Sequence, residues 1–199
     1  MIKNKPTLII IAGPNGSGKT SITSQILKHE WIEGCVYINP DNIAQEEFGD
    51  WNNPENSLKA AQLAEKRRLD CIKNRESLIF ETVFSSVDKI EFLKLAKKSG
   101  YFIRLFFVST DHPSINASRI THRVLEGGHD VPIPKIISRY TKSISNCCVA
   151  ALLSDRLYVY DNSEEYAEAK LLFRASDGKL EKKYFAINDW AKEIFEVIR

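Results

Sequence analysis

The chain has 199 residues, of which 43% are hydrophobic and 27% are charged, with 28 Lys and Arg against 26 Asp and Glu. These proportions are those of an ordinary globular protein, and they exclude a disordered chain, a collagen-like repeat and a membrane protein. The formal net charge of +2 gives little support to a dedicated duplex-DNA binder, but it leaves room for a local basic pocket that binds an anionic small molecule.

Short apolar runs along the chain predict five β-strands. The first run, 7–11, is continuous and β-branched, which is typical of a strand that is buried on both faces. The five predicted strands cover residues 7–11, 35–38, 77–80, 102–108 and 157–160. Further along, 171–174 and 183–186 flank the turn signal Ser176-Asp177-Gly178 and predict a β-hairpin.

Helical patterns separate these strands. The predicted helices cover residues 19–29, 54–74, 87–99, 113–126, 132–151 and 188–198. A loop rich in Asn, Pro and Asp is predicted between residues 38 and 54. The most regular apolar stripe lies on the helix after Pro132 and consists of Ile133, Ile136, Ile137, Tyr140, Ile144, Cys147, Cys148 and Ala151. Strands that alternate with helices form a parallel sheet covered on both faces, with ligands bound beyond the carboxyl ends of the strands.

The segment between the first strand and the first helix fits the phosphate-loop pattern G-x-x-x-x-G-K-[ST]. It consists of Gly13, Pro14, Asn15, Gly16, Ser17, Gly18, Lys19 and Thr20. Glycines let backbone N–H groups turn towards phosphate oxygens, and the helix that follows directs its positive end at them. Lys19 is predicted to reach the β- and γ-phosphates and Thr20 to ligate Mg²⁺. A plain glycine turn is the alternative, but the strand before and the helix after favour nucleotide binding.

These elements predict an α/β fold, a three-layer α/β/α P-loop NTPase. We expect a single domain over residues 1–199, with a five-stranded, mainly parallel sheet, a helical lid at about 113–146, and a C-terminal β-hairpin plus helix. A guanine-specific GTPase is not predicted, because Asn4-Lys5 is followed by Thr7 where the N-K-x-D motif needs Asp. No long basic run or repeat indicates a helicase or a transporter motor, which leaves a compact phosphotransferase.

Acidic and hydroxyl side chains follow the predicted strands, where a phosphotransferase needs a base and acceptor contacts. Asp41 is suited to act as general base for an acceptor hydroxyl, although a turn role for it stays open. Glu81, which Thr82 follows, is either a solvated strand end or a contact to an acceptor hydroxyl or a Mg²⁺-bound water. Asp111 is either an acid on the magnesium side or the cap of the helix that follows it, and the Asp-His-Pro sequence favours the cap.

Arginines on two consecutive helices predict a lid over the triphosphate. Arg119 and Arg123 are four residues apart and share a helix face, and Arg139 lies on the next helix off its apolar stripe. Surface ion pairs are the alternative, but beside a phosphate loop we expect Arg123 and Arg139 to contact phosphate oxygens. The two helices are joined by 127–132, in which His129 either shuttles a proton or only bonds locally.

The chain start and the cysteines indicate a cytoplasmic protein with reduced thiols. The apolar run 8–12 has five residues and no cleavage pattern, whereas a secretory signal needs roughly 7–15. No apolar stretch approaches the ~20 residues of a membrane span. The cysteines form no C-x-x-C pair and the histidines have no metal-ligand spacing; these residues are Cys35, Cys71, Cys147, Cys148, His29, His112, His122 and His129.

Taken together, these residues resemble the zeta-toxin-like kinase family over about residues 7–145. The ordered set that carries the resemblance consists of 13–20, Asn-Pro-Asp at 39–41, Phe-Glu-Thr at 80–82, Arg123, Gly-Gly-His-Asp-Val-Pro at 127–132, and Arg139-Tyr140. The resemblance implies ATP-dependent phosphorylation of a hydroxyl of a UDP-N-acetyl amino sugar, such as UDP-N-acetylglucosamine. The chain is short for a family toxin, and its C-terminal hairpin and helix have no counterpart in the motif set.

The resemblance also implies roles for individual residues. Lys19 and Thr20 are implied to bind ATP and Mg²⁺, and Arg123 and Arg139 to form the lid on the phosphates. Asp41 is implied to be the acceptor base, with Glu81 and Thr82 as acceptor contacts. We also expect His129 to contact the acceptor. An antitoxin partner does not follow from these residues. A kinase of another metabolite or nucleotide and a regulatory NTPase that acts through a protein partner remain alternatives, whereas the near-neutral charge gives little support to a polynucleotide-end kinase.

Overall fold

The computed structural model describes residues 5–49, 53–126 and 131–199. Its centre is a seven-stranded sheet in the order β2-β3-β1-β4-β5-β6-β7. The strands are β1 (Thr7–Ala12), β2 (Val36–Ile38), β3 (Leu78–Thr82), β4 (Phe102–Ser109), β5 (Arg156–Asp161), β6 (Lys170–Ser176) and β7 (Lys179–Lys183). The first five strands are parallel and the last two antiparallel. The predicted α/β fold with a mainly parallel sheet is therefore confirmed.

The C-terminal hairpin differs from the prediction, because it extends the central sheet instead of standing apart from it. β6 pairs with β5 and β7 pairs with β6, so the sheet has seven strands where five plus a separate hairpin were expected. The second hairpin strand also begins earlier, at Lys179. The predicted turn is where the sequence places it, since Asp177 and Gly178, both with positive φ, are the two residues between β6 and β7.

Seven α-helices flank the sheet within the described residues: α1 (Lys19–Ile26), α2 (Pro40–Phe48), α3 (Pro54–Asn74), α4 (Val87–Lys98), α5 (Pro113–Leu125), α6 (Ile133–Leu153) and α7 (Lys192–Val197). Short 3-10 turns lie at Glu30–Ile32 and Asp189–Ala191. Within the described ranges, no helix combines the length and the apolar character needed to cross a membrane.

Helix α2 occupies a segment that was predicted to be a loop, so that prediction was wrong. The Asn39 side chain accepts a hydrogen bond from the backbone N–H of Asp41 at 2.8 Å, and Pro40 stands in the first turn. Asn and Pro mark turns, but they also mark helix starts. The apolar side chains Ile43 and Ala44 are buried against the core, and this contact stabilises the helix.

The two faces of the sheet are covered unequally. Alternate residues of β1 point to opposite faces: Leu8 and Ile10 belong to the larger cluster, which also takes side chains from α2, α3, α4, α6 and α7. Ile9 and Ile11 belong to a smaller cluster under α1. The predicted apolar stripe of α6 is only partly buried. Ile136 and most of the later members are buried, whereas Ile133 and Ile137 are 59% and 49% exposed.

This topology brings the functional segments to one edge. Because β1 lies between β3 and β4, and β5 lies beside β4, the carboxyl ends of four parallel strands adjoin. The phosphate loop after β1 is thus flanked by Glu81 and Thr82 on one side and by Thr110 and Asn162 on the other.

Candidate active site at the carboxyl edge of the sheet

The phosphate loop runs from the end of β1 to the first turn of α1, and its glycines are sterically required. Gly13 and Gly18 have φ angles of 150° and 90°. A Cβ on Gly13 would lie 2.0 Å from the backbone oxygen of Val108, and one on Gly18 would lie 2.1 Å from Nδ2 of Asn162. At Gly13 the obstacle is the backbone of β4, so a side chain is excluded there; at Gly18 the obstacle is the flexible Asn162 side chain, and the positive φ is what favours glycine.

Lys19 folds back over its own loop. Its ammonium donates hydrogen bonds to the carbonyl oxygens of Gly13 and Pro14, both at 2.9 Å. In the same loop the Ser17 hydroxyl is buried and has no hydrogen-bond partner among the described residues. Buried polar atoms are normally paired, so an unpaired hydroxyl beside a concave backbone is expected where a polar ligand binds.

The electrostatic surroundings of Lys19 show which predicted residues meet. The pKa of the Lys19 ammonium is lowered to about 8, chiefly because the group is buried; the charge of Glu81 acts against this shift, and the charges of Arg123 and Arg139 add to it. A charge shifts a pKa appreciably only when it is near, so all three charged side chains lie in the neighbourhood of the lysine. The structure thus brings together four of the residues that the sequence singled out, from β3, α1, α5 and α6.

Two asparagines that the sequence analysis missed support the phosphate loop. Asn116 donates from Nδ2 to the carbonyl oxygen of Asn15 at 2.7 Å, and its own Oδ1 accepts a hydrogen bond from the Thr110 hydroxyl. Asn162 donates from Nδ2 to the carbonyl oxygen of Ser17 at 2.9 Å. Asn162 directly follows β5, and that position was the signal that could have revealed it, whereas Asn116 lies in the first turns of α5 and carried no such signal.

The arginines of the two helices after β4 make different contacts. Arg139 donates from Nη1 to Oδ1 of Asn15 in the phosphate loop at 3.1 Å. Arg119 instead donates to the carbonyl oxygens of Asn162 at 2.8 Å and of Glu164 at 3.2 Å, and so holds the loop after β5. Arg123 is exposed on α5.

The predicted acceptor contact His129 lies outside the described residues. Val131, which belongs to the same connection between α5 and α6, is buried and packs with Ile120 and Ile136. This small cluster joins α5 to α6, so the two arginine-bearing helices contact one another directly.

The residues predicted to lie on the acceptor side form a chain of hydrogen bonds. The Tyr37 hydroxyl donates to Oε1 of Glu81 at 3.3 Å and accepts from Nδ2 of Asn39 at 3.0 Å. Asn39 accepts from the backbone N–H of Asp41, whose side chain is exposed at the start of α2. Thr82 accepts at its carbonyl from the N–H of Gly13 at 3.2 Å, so it also anchors the start of the phosphate loop.

The prediction that Asp111 caps the helix after it was wrong. His112 is the N-terminal cap of α5, because its Nδ1 accepts the backbone N–H of Ser114 at 3.2 Å. Asp111 instead accepts a hydrogen bond from Asn188 at 3.3 Å, which ties the C-terminal segment to this edge of the sheet. His can cap because a neutral imidazole nitrogen accepts as a carboxylate does.

A cleft of about 440 Å³ lies beside the phosphate loop, along α1. Its walls include Gly18, Ile22, Gln25, Arg119 and Asn162. A separate groove of about 330 Å³ lies between α3 and α4 and shares no residue with the phosphate loop. Within the described part of the chain, no three His, Cys, Asp or Glu side chains are grouped to hold a metal ion.

Comparison with known proteins identifies a family whose model covers the phosphate loop and the strand ends described above. The family model described as Zeta toxin matches residues 2–168. An uncharacterized protein of Haemophilus influenzae is 28% identical over 136 residues, which are 66% of this chain and 91% of that protein. The family match ends before β6, so the hairpin and α7 lie beyond it.

Solved structures share the fold at low sequence identity. A chain of the AvrRxo1-ORF1:AvrRxo1-ORF2 complex with sulphate ions superposes with a TM-score of 0.68 at 18% identity, over 98% of this chain and 64% of its own. A chain from the PezAT toxin–antitoxin system of Streptococcus pneumoniae superposes with a TM-score of 0.63 at 17% identity, over 98% of this chain and 79% of its own. The chain thus spans 64% of the length of the AvrRxo1 chain that it matches.

Proposed function

The chain belongs to the zeta toxin family, and on that premise we propose that it is an ATP-dependent kinase that transfers the γ-phosphate to a hydroxyl group of a small molecule. One observation carries the proposal. A phosphate-loop lysine, desolvated and flanked by two arginines, lies beside Glu81, from which a hydrogen-bonded chain leads to Asp41. Phosphoryl transfer needs these components: cations on the phosphates and a carboxylate near the acceptor.

The nucleotide side of the proposed site consists of the phosphate loop and the lid arginines. The loop N–H groups and the buried Ser17 hydroxyl are suited to phosphate oxygens. We assign Lys19, Arg123 and Arg139 to the transferring phosphate, because cations there stabilise the charge that develops in the transition state. The Thr20 hydroxyl would hold Mg²⁺, which supplies further positive charge on the phosphates.

The cleft along α1 is the proposed site of the nucleobase. Its volume of about 440 Å³ lies within the usual range for small-molecule sites. Arg119 is fixed there by the carbonyl oxygens of Asn162 and Glu164 and offers a planar guanidinium on which an aromatic base can stack. The structure of the AvrRxo1 complex with ATP, whose chain shares this fold at 19% identity, supports ATP as the nucleotide.

The acceptor side of the proposed site is the edge of β2 and β3. We assign Asp41 as the general base that takes the acceptor proton, since its carboxylate is exposed at the start of α2. Glu81, Thr82 and His129 are the proposed acceptor contacts. The helices within about 113–146 are the proposed lid, and the enzyme is proposed to be a single domain. A hydroxyl of a UDP-N-acetyl amino sugar such as UDP-N-acetylglucosamine is the proposed acceptor, supported by the family match.

A discontinuous transfer assay tests the proposal. Protein, Mg²⁺ and ATP are incubated with a panel of UDP-sugars, free sugars, nucleosides and nucleotides, and mass spectrometry detects an added phosphate. We expect a phosphorylated UDP-amino sugar with wild-type protein and none with Lys19→Ala. Phosphorylation of another compound would keep the kinase and replace the acceptor, whereas absence of both phosphorylated product and ADP would overturn the kinase.

A protein partner is a second proposal that one observation favours. The structures that share this fold include a two-protein complex and a toxin–antitoxin system. We propose that a partner protein binds this chain and controls the same site. ADP release without any phosphorylated acceptor, stimulated or blocked by a protein encoded beside it, would support a regulatory NTPase over a metabolite kinase.

A further inference from the structure

Tyr37 lies between Glu81 and Asn39, the residue that caps the start of α2. It stands opposite Ile79 in the β2–β3 ladder, so Glu81 is its diagonal neighbour on the same face of the sheet. Its ring is half-buried and packs against the apolar cluster under α1. Packing of the ring against this cluster therefore determines the position of the Tyr37 hydroxyl.

The hydroxyl links two residues at once. It donates to Oε1 of Glu81 at 3.3 Å and accepts from Nδ2 of Asn39 at 3.0 Å, which uses both its proton and a lone pair. Asn39 uses its other amide atom, Oδ1, to accept from the N–H of Asp41 at 2.8 Å. A continuous chain of hydrogen bonds thus runs from Glu81 to the helix turn that carries Asp41.

The two carboxylates have few other restraints. Among the described residues, the Tyr37 hydroxyl is the single hydrogen-bond donor to the Glu81 side chain, and the Asp41 side chain accepts no hydrogen bond. Burial, the largest cause, and the charges of Glu81 and Asp41 raise the pKa of Tyr37. The hydroxyl therefore keeps its proton at neutral pH and remains a donor.

We propose that Tyr37 is a positioning residue of the transfer site, which holds Glu81 and, through Asn39, the start of α2 in the arrangement that turns Asp41 towards the acceptor. The inference rests on the proposed kinase function. Neither hydrogen bond of Tyr37 reaches the phosphate loop. Loss of the hydroxyl should therefore slow transfer and leave nucleotide binding unchanged.

The first test compares two Tyr→Phe variants. Tyr37→Phe keeps the packed ring and loses both hydrogen bonds. Tyr160→Phe is the matched control, since Tyr160 is half-buried on the same face and its hydroxyl makes no hydrogen bond within the described part of the chain. We expect kcat to fall about tenfold in Tyr37→Phe, with the KM for ATP within about twofold, and both constants unchanged in the control.

The assay uses whichever panel compound the wild-type protein phosphorylates. If no compound is phosphorylated, it uses ADP release with water as the acceptor, because a misplaced Asp41 also slows attack by water. An unchanged kcat in Tyr37→Phe, with or without a lower melting temperature, would overturn the positioning role, as would an equal fall in both variants. A wild-type protein that neither transfers phosphate nor releases ADP would instead refute the kinase itself.

A double-mutant cycle tests whether the chain continues to α2. Asn39→Ser keeps a good helix cap but is too short to reach the Tyr37 hydroxyl. If both residues act through one chain, Asn39→Ser lowers kcat by a similar factor, and the double variant is no slower than the slower single one. Multiplying effects would show that Tyr37 does not act through Asn39 and would overturn the proposal.

Discussion

The nucleotide side and the acceptor side of the proposed site are built differently, although they lie only two strands apart. On the nucleotide side, the backbone is fixed by its neighbours: Asn116 and Asn162 bind loop carbonyl oxygens, and a Cβ on Gly13 would lie 2.0 Å from a backbone oxygen. On the acceptor side, side chains hold one another through Tyr37 and Asn39 at the exposed start of a nine-residue helix.

The difference predicts that the two sides fail in different ways. A backbone cradle is part of the fold, so substitutions there reduce stability and nucleotide affinity together. A side-chain network at the surface can lose a member with little loss of folding free energy, so substitutions there change the rate of transfer alone. The experiments below separate these outcomes, beginning with the largest expected effect.

The largest effect is expected for Asp41→Asn. The amide cannot take the acceptor proton, so transfer should fall by about 10²–10⁴-fold. Because the side chain is exposed and makes no hydrogen bond among the described residues, ATP affinity and melting temperature should not change. Steady-state transfer and calorimetric ATP titration measure the two quantities. Full transfer activity in the folded variant would remove Asp41 from the acceptor side.

Gly13→Ala should have its main effect on folding. The added Cβ meets the Val108 carbonyl oxygen at a φ of 150°, and we expect the free energy of unfolding to fall by about 3 kcal/mol. Gly34→Ala is the control, because nothing lies within 4 Å of its added Cβ and only its φ of 73° is unfavourable, which costs about 1 kcal/mol. Urea unfolding curves compare the two. Equal losses would show that the close approach of β4 does not matter.

The affinity for ATP should depend on pH through Lys19. Its pKa is lowered to about 8, and only the charged ammonium attracts phosphate. Bound phosphates favour the charged form, so the affinity is constant well below pH 8 and falls by up to about tenfold per unit as pH rises above it. ATP affinity is measured between pH 6.5 and 9.5 in the wild-type protein and in Lys19→Arg. Because arginine stays charged over this range, the affinity of the variant should not fall. The same slope in both proteins would assign it to another group.

The smallest effect is expected for Asn162→Ala. It removes the hydrogen bond to the Ser17 carbonyl oxygen, which contributes about 1 kcal/mol, and ATP affinity should fall about fivefold. Asn146→Ala is the control, since Asn146 donates to the Phe84 carbonyl oxygen at 2.9 Å, away from the loop. It should lose similar stability and keep its ATP affinity. If ATP affinity fell in both variants, the effect of Asn162→Ala would be due to reduced stability and not to the lost support of the phosphate loop.

Prediction from the sequence succeeded where the signal is local. The β-branched run before Gly13 and the helix pattern after Lys19 are each complete within about a dozen residues, and the structure has β1 and α1 there. Failures occurred where one composition fits two structures. The Asn-Pro-Asp segment is equally suited to a turn and to the capped start of α2, and burial of Ile43 and Ala44 against the core decided between them.

Contacts between distant segments were invisible for a different reason. Asn116 contacts a residue 101 positions away, and Asn162 one that is 145 positions away. Arg119 and Arg123 share a helix face, yet one binds the loop after β5 and the other lies near Lys19. Spacing along a helix reveals which residues are neighbours on it, but not what stands opposite each one.

By itself, the sequence determined the phosphate loop, the alternation of strands and helices, and the residue types at each strand end, because these depend on neighbours in the chain and on backbone sterics. Only the tertiary structure decided that the C-terminal hairpin joins the sheet, that Lys19 is desolvated near Glu81, Arg123 and Arg139, and that Tyr37 links Glu81 to Asn39 at the start of α2. These features depend on strand order and on the distances that close packing imposes between residues far apart in the chain.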